Sequence, residues 1–196
     1  MGSEAGTVSP EIRSVRAKAL SAAAHILATR GIEELSLRAI ADSAGIGIAS
    51  IYHYFENKEE LLVNLALMGF GELREQIFSY QGQPEYASPM QASARAFFDF
   101  AETRPALFSL MFSEQLMVRN EALREAEYKT LQVYQEAVEA DDRIAPRHRA
   151  NAAHALWAMG RGIAAIASSH PDGKLPPEMA EKLFAGAAYL VNHPDD

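Results

Sequence analysis

The chain has 196 residues, of which 48% are hydrophobic, a size and composition that suit one or two compact domains with a sizeable core. It contains no cysteine, which excludes disulfides, thiol chemistry and cysteine-bound zinc, and it has no apolar run of the about 18 residues that a membrane span needs. Its first residues lack the basic and apolar regions of a signal peptide, so we expect a cytoplasmic protein with no membrane partner.

The first predicted element is a helix from Ser14 to Arg30. Apolar residues recur there at the helical period, and Gly31 ends the pattern. Residues 1–13, which precede it, are expected to form a flexible N-terminal segment. The helix is placed to brace the segment that follows it.

Residues 36–58, SLRAIADSAGIGIASIYHYFENK, predict two short helices with a break between them. Ser36 is a typical helix N-cap, and Gly45 suits the left-handed conformation that ends a helix. A second apolar pattern begins after Gly47 and ends at Phe55, which we expect to be a core residue. Two short helices joined by a glycine-containing turn form a helix-turn-helix, whose second helix can enter a DNA major groove.

Eight residues of this segment are the candidate DNA contacts. They are Ser36, Arg38, Ile48, Ala49, Ser50, Tyr52, His53 and Lys58. Ser36 can leave backbone N–H groups for a phosphate, and Lys58 suits another phosphate. Ala49 and Ser50 are small enough for close approach to base edges. Tyr52 and His53 offer hydrogen bonds, although packing within the protein is the alternative role for both.

The segment resembles the DNA-binding signature of the TetR family of transcriptional regulators. The matching positions are Ser36, Ile40-Ala41, Ala44-Gly45-Ile46-Gly47, Ala49, Tyr52-His53-Tyr54-Phe55, Lys58 and Leu61. Two positions depart from the pattern, because Gly47 replaces the usual Ser and Ile48 stands where a basic or polar residue is common. The resemblance implies an all-α protein with a DNA-binding head over residues 14–60 and a helical effector-binding and dimerisation domain over residues 61–196. It also implies a regulator, with a repressor expected, that is released from DNA by a small, largely apolar effector.

The net charge of −8 is unusual for a DNA-binding protein. Residues 1–60 carry six basic and eight acidic side chains. The placement of the basic residues matters more than the total. Arg13, Arg16 and Lys18 start the first helix, and we expect them to line one DNA-facing surface with Arg38 and Lys58.

The remaining chain predicts helices throughout, since no segment alternates polar and apolar residues over the length of a strand. A loop with Pro84 and Pro89 separates the first of these helices from the rest. The predicted helices span residues 58–80, 90–103, 105–112, 120–140, 146–169 and 177–192.

Helix 146–169 is apolar over much of its circumference, and helix 177–192 carries a matching apolar stripe of Met179, Leu183, Ala187 and Leu190. Helix 146–169 has two neighbouring apolar seams, which include Leu156 and Ile163 on one and Trp157 and Ala164 on the other. Such a helix is buried on several sides. The resemblance implies that the two helices pair with those of a second copy in a homodimer, and a purely intramolecular core is the alternative. A two-fold dimer predicts a palindromic operator on double-stranded DNA.

Aromatic and methionine side chains between residues 97 and 159 suit an adaptable apolar cavity, although ordinary core is the alternative for each. The candidate ligand-binding residues are Phe98, Phe108, Met111, Phe112, Tyr128, His154, Trp157 and Arg161. Arg161 lies in an otherwise apolar helix, so it needs a partner. A carboxylate such as Asp99 or Glu102, an acidic ligand, or the dimer interface are the three alternatives for it.

Enzymatic motifs are absent from the sequence. It has no P-loop, no GxSxG and no HExxH, and no histidines lie four residues apart to bind a metal. We therefore expect no catalytic site, no metal and no cofactor. Two other readings stay open: an activator or architectural protein without a ligand, and a helical ligand- or partner-binding protein whose DNA binding is weak or lost.

Overall fold

The computed structural model describes residues 10–170 and 173–192, with the side chains of residues 10–14, 188 and 190–192 excepted. In that part of the chain every regular element is a helix, which confirms the predicted all-α class. In chain order the α-helices are α1 (Pro10–Arg30), α2 (Leu37–Ala44), α3 (Ile48–Tyr54), α4 (Lys58–Gln81), α5 (Pro89–Thr103), α6 (Pro105–Met111), α7 (Glu114–Arg119), α8 (Glu121–Glu139), α9 (Arg149–Ser168) and α10 (Pro177–Asn192).

Several helix bounds differ from the expected ones. α1 begins at Pro10 rather than Ser14, and the first nine residues of the predicted flexible segment lie outside the described residues. The predicted helix 146–169 is a short 3-10 turn, Pro146–His148, followed by α9. The sequence did not predict α7, which is only six residues long.

The chain divides into two compact units between Ala66 and Leu67, inside α4. We call the described residues up to 66 the head and those from 67 onward the body. The proposed domain boundary, at residue 60, lies near the start of the same helix.

The head is built on α1, against which α2 and α3 pack. The apolar side chains that fill its interior are Ala19, Ala23, Ile26, Leu35, Ile40, Ile51, Phe55, Leu61 and Leu65, none more than 3% exposed. Each large side chain among them contributes about 1.5–3 kcal/mol by leaving water. Phe55, fully buried, is the core residue that the sequence predicted.

Hydrogen bonds at the start of α4 use some of the acidic side chains of the head. The Glu60 N–H donates to Asn57 Oδ1 at 2.9 Å, and the Glu60 carboxylate accepts from the Glu56 N–H at 2.7 Å. This reciprocal capping satisfies N–H groups that the helix itself leaves unpaired, and it puts negative charge at the positive end of the helix dipole.

In the body, α8 packs along α9, and α5 packs against both of them. α6 contacts α5 and α9, while α10 lies on α9. The body part of α4 is tied to these helices by hydrogen bonds from Arg74 to Thr130 Oγ1 at 3.1 Å and from Gln76 to the Ala96 carbonyl at 3.0 Å. Gly69 permits close approach of α6, since a Cβ there would lie 2.6 Å from Met111 Sδ.

Over the described residues, no helix combines the length and apolar character needed to cross a membrane.

Candidate DNA-binding surface and effector cavity

The turn between α2 and α3 has the backbone geometry that its glycines predict. Ser36 has an extended backbone, and its hydroxyl accepts a hydrogen bond from the Ala39 N–H at 3.1 Å, which caps α2. Gly45 has a φ of 64°, in the left-handed region, and its N–H satisfies the last carbonyls of α2. Gly47 precedes α3 without a side-chain cap.

One face of α3 is buried and the other is exposed. Ile51 is fully buried against the head, which fixes the rotation of the helix about its axis. The predicted contacts Ile48, Ala49, Ser50, Tyr52 and His53 are all exposed, with Tyr52 at 58% and Ile48 at 42%. The head therefore presents small, aromatic and hydrogen-bonding side chains together on a short helix.

The predicted contacts on α2 are exposed as well. Arg38 lies in the first turn of α2, next to the capped N-terminus at Ser36. Backbone N–H groups at a helix start and a guanidinium both favour a phosphate oxygen. The start of α2 thus exposes two kinds of group that can interact with a phosphate.

Two of the basic residues expected to face DNA make contacts inside the head. Lys58 is exposed, and its ammonium donates to the Ile32 carbonyl at 3.0 Å, so it tethers the α1–α2 loop to the start of α4. The Arg16 guanidinium donates to the Asn64 side-chain oxygen and so joins α1 to α4. An ammonium has three donors, so the Ile32 contact leaves Lys58 with donors for a phosphate. The side chain of Arg13 lies outside the described ones.

The body contains an apolar cavity of about 120 Å³ between α5, α8, α9 and α10, which we call the aromatic chamber. Its lining residues are Ala94, Phe97, Phe98, Tyr134, Leu156, Trp157, Met159, Gly160, Ile163, Phe184 and Ala187. Burial raises the pKa of Tyr134 to about 12, so its hydroxyl stays protonated and is a neutral hydrogen-bonding group.

Of the eight predicted ligand-binding residues, Phe98 and Trp157 line the aromatic chamber. Phe108 and Phe112 form the layer next to it, with ring centroids 4.8 Å apart. Phe97 joins that layer to the chamber, since its ring lies 5.2 Å from Phe108 and 5.3 Å from Trp157.

The other predicted residues lie away from the chamber wall. Met111 is fully buried core against α4. Tyr128 is 55% exposed, and His154 is exposed with its ring Nδ1 2.9 Å from the Ala150 carbonyl. Phe184 and Ala187 complete the wall from α10, the helix that the sequence assigned to dimerisation. Ala187 belongs to the predicted apolar stripe of this helix. Phe184 lies one residue after Leu183 of that stripe, and its side chain widens the apolar face, which is the signal that could have identified it.

Arg161 has a partner that the sequence did not indicate. Its guanidinium donates to Glu127 Oε1 at 2.7 Å and stacks over the Phe112 ring at 4.5 Å from the centroid. The Trp157 indole N–H reaches the same carboxylate oxygen at 3.4 Å. Glu127 of α8 thus orients both an arginine and the tryptophan of the chamber wall.

Family models match both parts of the chain. The model of bacterial regulatory proteins of the tetR family matches residues 19–65, and the model of the tetracyclin repressor-like C-terminal domain matches residues 90–188. The first region contains the helix-turn-helix, and the second contains the aromatic chamber.

Named relatives match a shorter part of the chain. The HTH-type transcriptional repressor KstR2 of Mycobacterium tuberculosis is 43% identical over 63 residues, and the match covers 32% of this chain and 31% of that repressor. KstR2 of Rhodococcus jostii is 41% identical over 69 residues, with 33% of each chain covered. The chain thus matches these curated relatives over about a third of their length.

Solved structures share the fold over nearly the whole chain. A protein of unknown function from Rhodococcus sp. RHA1 has a TM-score of 0.68 and 22% identity, with 97% of both chains covered. A transcriptional regulator from the same organism has a TM-score of 0.66 and 21% identity, with 91% of this chain and 96% of that one covered.

The fold and the exposed face of α3 define a helix-turn-helix DNA-binding protein. This chain belongs to the TetR family of transcriptional regulators, as its sequence indicated, and it is not an enzyme.

Proposed function

We propose that this regulator is a cytoplasmic repressor that binds a palindromic operator as a homodimer and is released by a small, largely apolar effector. The observation that carries the proposal is the pairing of an exposed recognition face on α3 with an apolar chamber in the body. The KstR2 relatives are transcriptional repressors by name, which supports the choice of repressor over activator.

On DNA, α3 enters the major groove with its exposed face toward the bases. Ser50 and Tyr52 hydrogen-bond to base edges, and the methyl groups of Ile48 and Ala49 contact thymine methyl groups. His53 lies one helical turn after Ser50 on α3. Arg38, the first backbone N–H groups of α2 that Ser36 does not cap, and Lys58 bind phosphates and set the register of α3.

The dimer is proposed to form through α9 and α10. These two helices carry exposed apolar side chains at Ile166, Met179 and Tyr189. Exposed apolar side chains of this size support a protein contact, and a two-fold axis would pair the same residues of both copies. Leu190, part of the predicted stripe, lies outside the described side chains.

The effector is proposed to occupy the aromatic chamber beside Trp157. The layer formed by Phe108 and Phe112 leads from that wall to α6, and α6 contacts α4 at Gly69. α4 runs from Lys58 to Gln81 and contains the division between head and body. A shift of α4 on effector binding would change the spacing of the two recognition helices, so the effector favours the conformation that does not fit the operator.

The proposal is tested by the affinity of the purified protein for an operator duplex, measured by fluorescence anisotropy with and without saturating effector. We expect weaker operator binding when effector is present. Equal affinity in both conditions would remove the effector from the mechanism, because a ligand shifts an equilibrium only by its differential affinity for the two states.

A further inference from the structure

A second cavity of about 140 Å³ lies beside the aromatic chamber, and we call it the mixed chamber. It shares Phe98, Ile163 and Phe184 with the aromatic chamber, so the two are neighbours with a common wall. Three hydrogen-bonding side chains line the mixed chamber: Glu102, Ser168 and Lys174.

Two aromatic rings form the wall between the chambers. Phe98 of α5 and Phe184 of α10 meet edge to face, with centroids 5.0 Å apart, and both rings line both cavities. Phe98 is half-buried and Phe184 is 43% exposed, whereas Phe97 on the aromatic side is only 4% exposed. Side chains with exposed surface change rotamer more easily than side chains packed in a core. The two rings of the wall are therefore freer to change rotamer than Phe97.

The two chambers are each small, but together they approach the volume of a pocket for a larger ligand. A cavity of about 150 Å³ holds a molecule the size of benzene, whereas pockets for larger ligands start at about 300 Å³. Each chamber alone has room for one ring-sized fragment, at about 120 Å³ and about 140 Å³. Displacement of the two rings would join them into a site near the lower limit for a full-sized ligand.

The chemistry differs between the two ends of this joined site. The residues that line the aromatic chamber are apolar apart from Tyr134 and Trp157, each of which carries one polar group. The mixed chamber holds one acidic and one basic side chain, Glu102 and Lys174. A carboxylate placed there would face Glu102, and an ammonium would face Lys174, while a hydroxyl or amide can hydrogen-bond to both.

We propose that the two chambers are one ligand site, closed by Phe98 and Phe184, for an uncharged amphipathic molecule. Its apolar end lies against Trp157, and its hydroxyl or amide end lies between Glu102 and Lys174. This inference rests on the proposed effector site and names the class of its ligand.

The only tryptophan of the chain, Trp157, lines the aromatic chamber and reports on occupancy by its fluorescence. The probes are 1-octanol, octanoate and octylamine, titrated at pH 7 into the full-length protein without DNA. We expect 1-octanol to bind at least about tenfold more tightly than either charged probe. Because no DNA is present, a negative result would leave the DNA-binding proposal intact.

Charge variants test the polar end. Glu102→Gln is expected to strengthen octanoate binding, and Lys174→Gln is expected to strengthen octylamine binding. The matched controls are Glu75→Gln and Lys129→Gln, exposed residues of the body that line neither chamber, which should change neither affinity. Equal affinities for the three probes in the wild-type protein, or no response to either lining variant, would overturn the assignment of the polar end.

Two further measurements test the wall. In a series from 1-butanol to 1-octanol, affinity should keep rising with chain length, whereas a plateau at the shortest members would mean that only the aromatic chamber is used. Phe184→Ala should speed 1-octanol association, with Phe78→Ala, another exposed phenylalanine, as the control. An unchanged rate would overturn the gate, and so would a change in the mass measured by light scattering, which would assign Phe184 to the dimer contact instead.

Discussion

At the residue scale, the Asp141 side chain is only 2% exposed, and its carboxylate forms an ion pair with Arg143. Arg143 donates to both of its oxygens, at 2.8 Å and 2.6 Å, and also to the Ser88 hydroxyl at 2.8 Å. These hydrogen bonds hold the pKa of Asp141 well below its usual range. Since Ser88 caps α5, the cluster joins the end of α8 to the start of α5.

The Asp141 cluster predicts a loss of stability in acid. A carboxyl with a depressed folded-state pKa contributes stability above its unfolded pKa, about 3.9, and that contribution is lost as the pH falls toward the folded value. Asp141→Ala should lower the free energy of unfolding by about 1–3 kcal/mol at pH 7 and flatten its dependence on pH below about 4. Urea denaturation at several pH values measures both effects.

Asp142→Ala is the matched control for that experiment, because Asp142 is fully exposed and its contact with Arg149 spans 3.5 Å. Its removal should be nearly neutral. Equal losses for the two variants would contradict the role assigned to Asp141.

Tyr52 is predicted to contact DNA, and the proposal can be tested without disturbing the fold. Tyr52 is 58% exposed in the head, so Tyr52→Ala should leave the melting temperature nearly unchanged. If the ring contacts a base, operator affinity should fall by about 1–3 kcal/mol. Tyr128→Ala is the control in the body, where the exposure is 55%. An operator affinity that Tyr52→Ala leaves unchanged would remove Tyr52 from the interface.

Arg161 illustrates what single-residue patterns can and cannot predict. The sequence places the charged Arg161 in an apolar helix, and this alone predicts that Arg161 has a polar or charged partner. The partner, Glu127, lies 34 residues away on a different helix, whereas the expected Asp99 pairs with Arg95 and accepts from Tyr80. Helical periodicity gives the face of a residue but not which helix packs on that face, so the choice among carboxylates depended on tertiary structure.

At the scale of elements, α3 is a short helix whose N-cap residue, Gly47, provides no side-chain hydrogen bond to the first turn. Gly47 has a φ of −60° and ψ of 137°, an ordinary extended conformation, and a Cβ there would meet nothing within 4 Å. Gly47→Ser should therefore add a side-chain cap and raise the free energy of unfolding by a few tenths of a kcal/mol.

Gly45→Ser provides the opposite case two residues earlier. The φ of 64° at Gly45 is costly for a residue with a Cβ, so this variant should lose about 1–2 kcal/mol. Denaturation curves of the two variants should therefore shift in opposite directions. A stabilised Gly45→Ser or a strongly destabilised Gly47→Ser would contradict the turn geometry.

The local elements were predictable where the signals were local. Ser36 caps α2 and Gly45 ends it, each through contacts within a few residues. The apolar pattern of the segment marked Phe55 as a core residue, and it is fully buried. α7 was missed because six residues are too few to show a period. The aromatic chamber was only partly predicted, because Phe184 reaches it from a helix far along the chain.

At the scale of the whole molecule, the proposed dimer predicts a particle of twice the 21.5 kDa of the chain. Ile166 is 40% exposed on α9. In a two-fold dimer, Ile166→Glu would place one negative charge from each copy in the proposed interface, where the two charges would repel. We expect light scattering to show a monomer for this variant. Val118→Glu, at a residue 72% exposed on α7, should remain a dimer. A wild-type monomer at micromolar concentration would contradict the proposed assembly.

The acidic charge of the molecule bears on how the DNA experiment is done. With a net charge of −8, attraction to the phosphate backbone has to come from a few placed cations such as Arg38 and Lys58. Affinity should fall steeply as salt rises, since each phosphate contact releases counterions. Low salt is therefore the condition in which weak DNA binding is most easily detected.

The most direct test of the central claim is selection of bound duplexes from a random DNA pool by the purified protein, at low and at moderate salt. The proposal predicts enrichment of an inverted repeat whose half-sites are centred about one helical turn, or a multiple of it, apart. Enrichment of a single half-site without its inverted copy would contradict operator binding by a homodimer. No enrichment even at low salt would contradict operator recognition by α3.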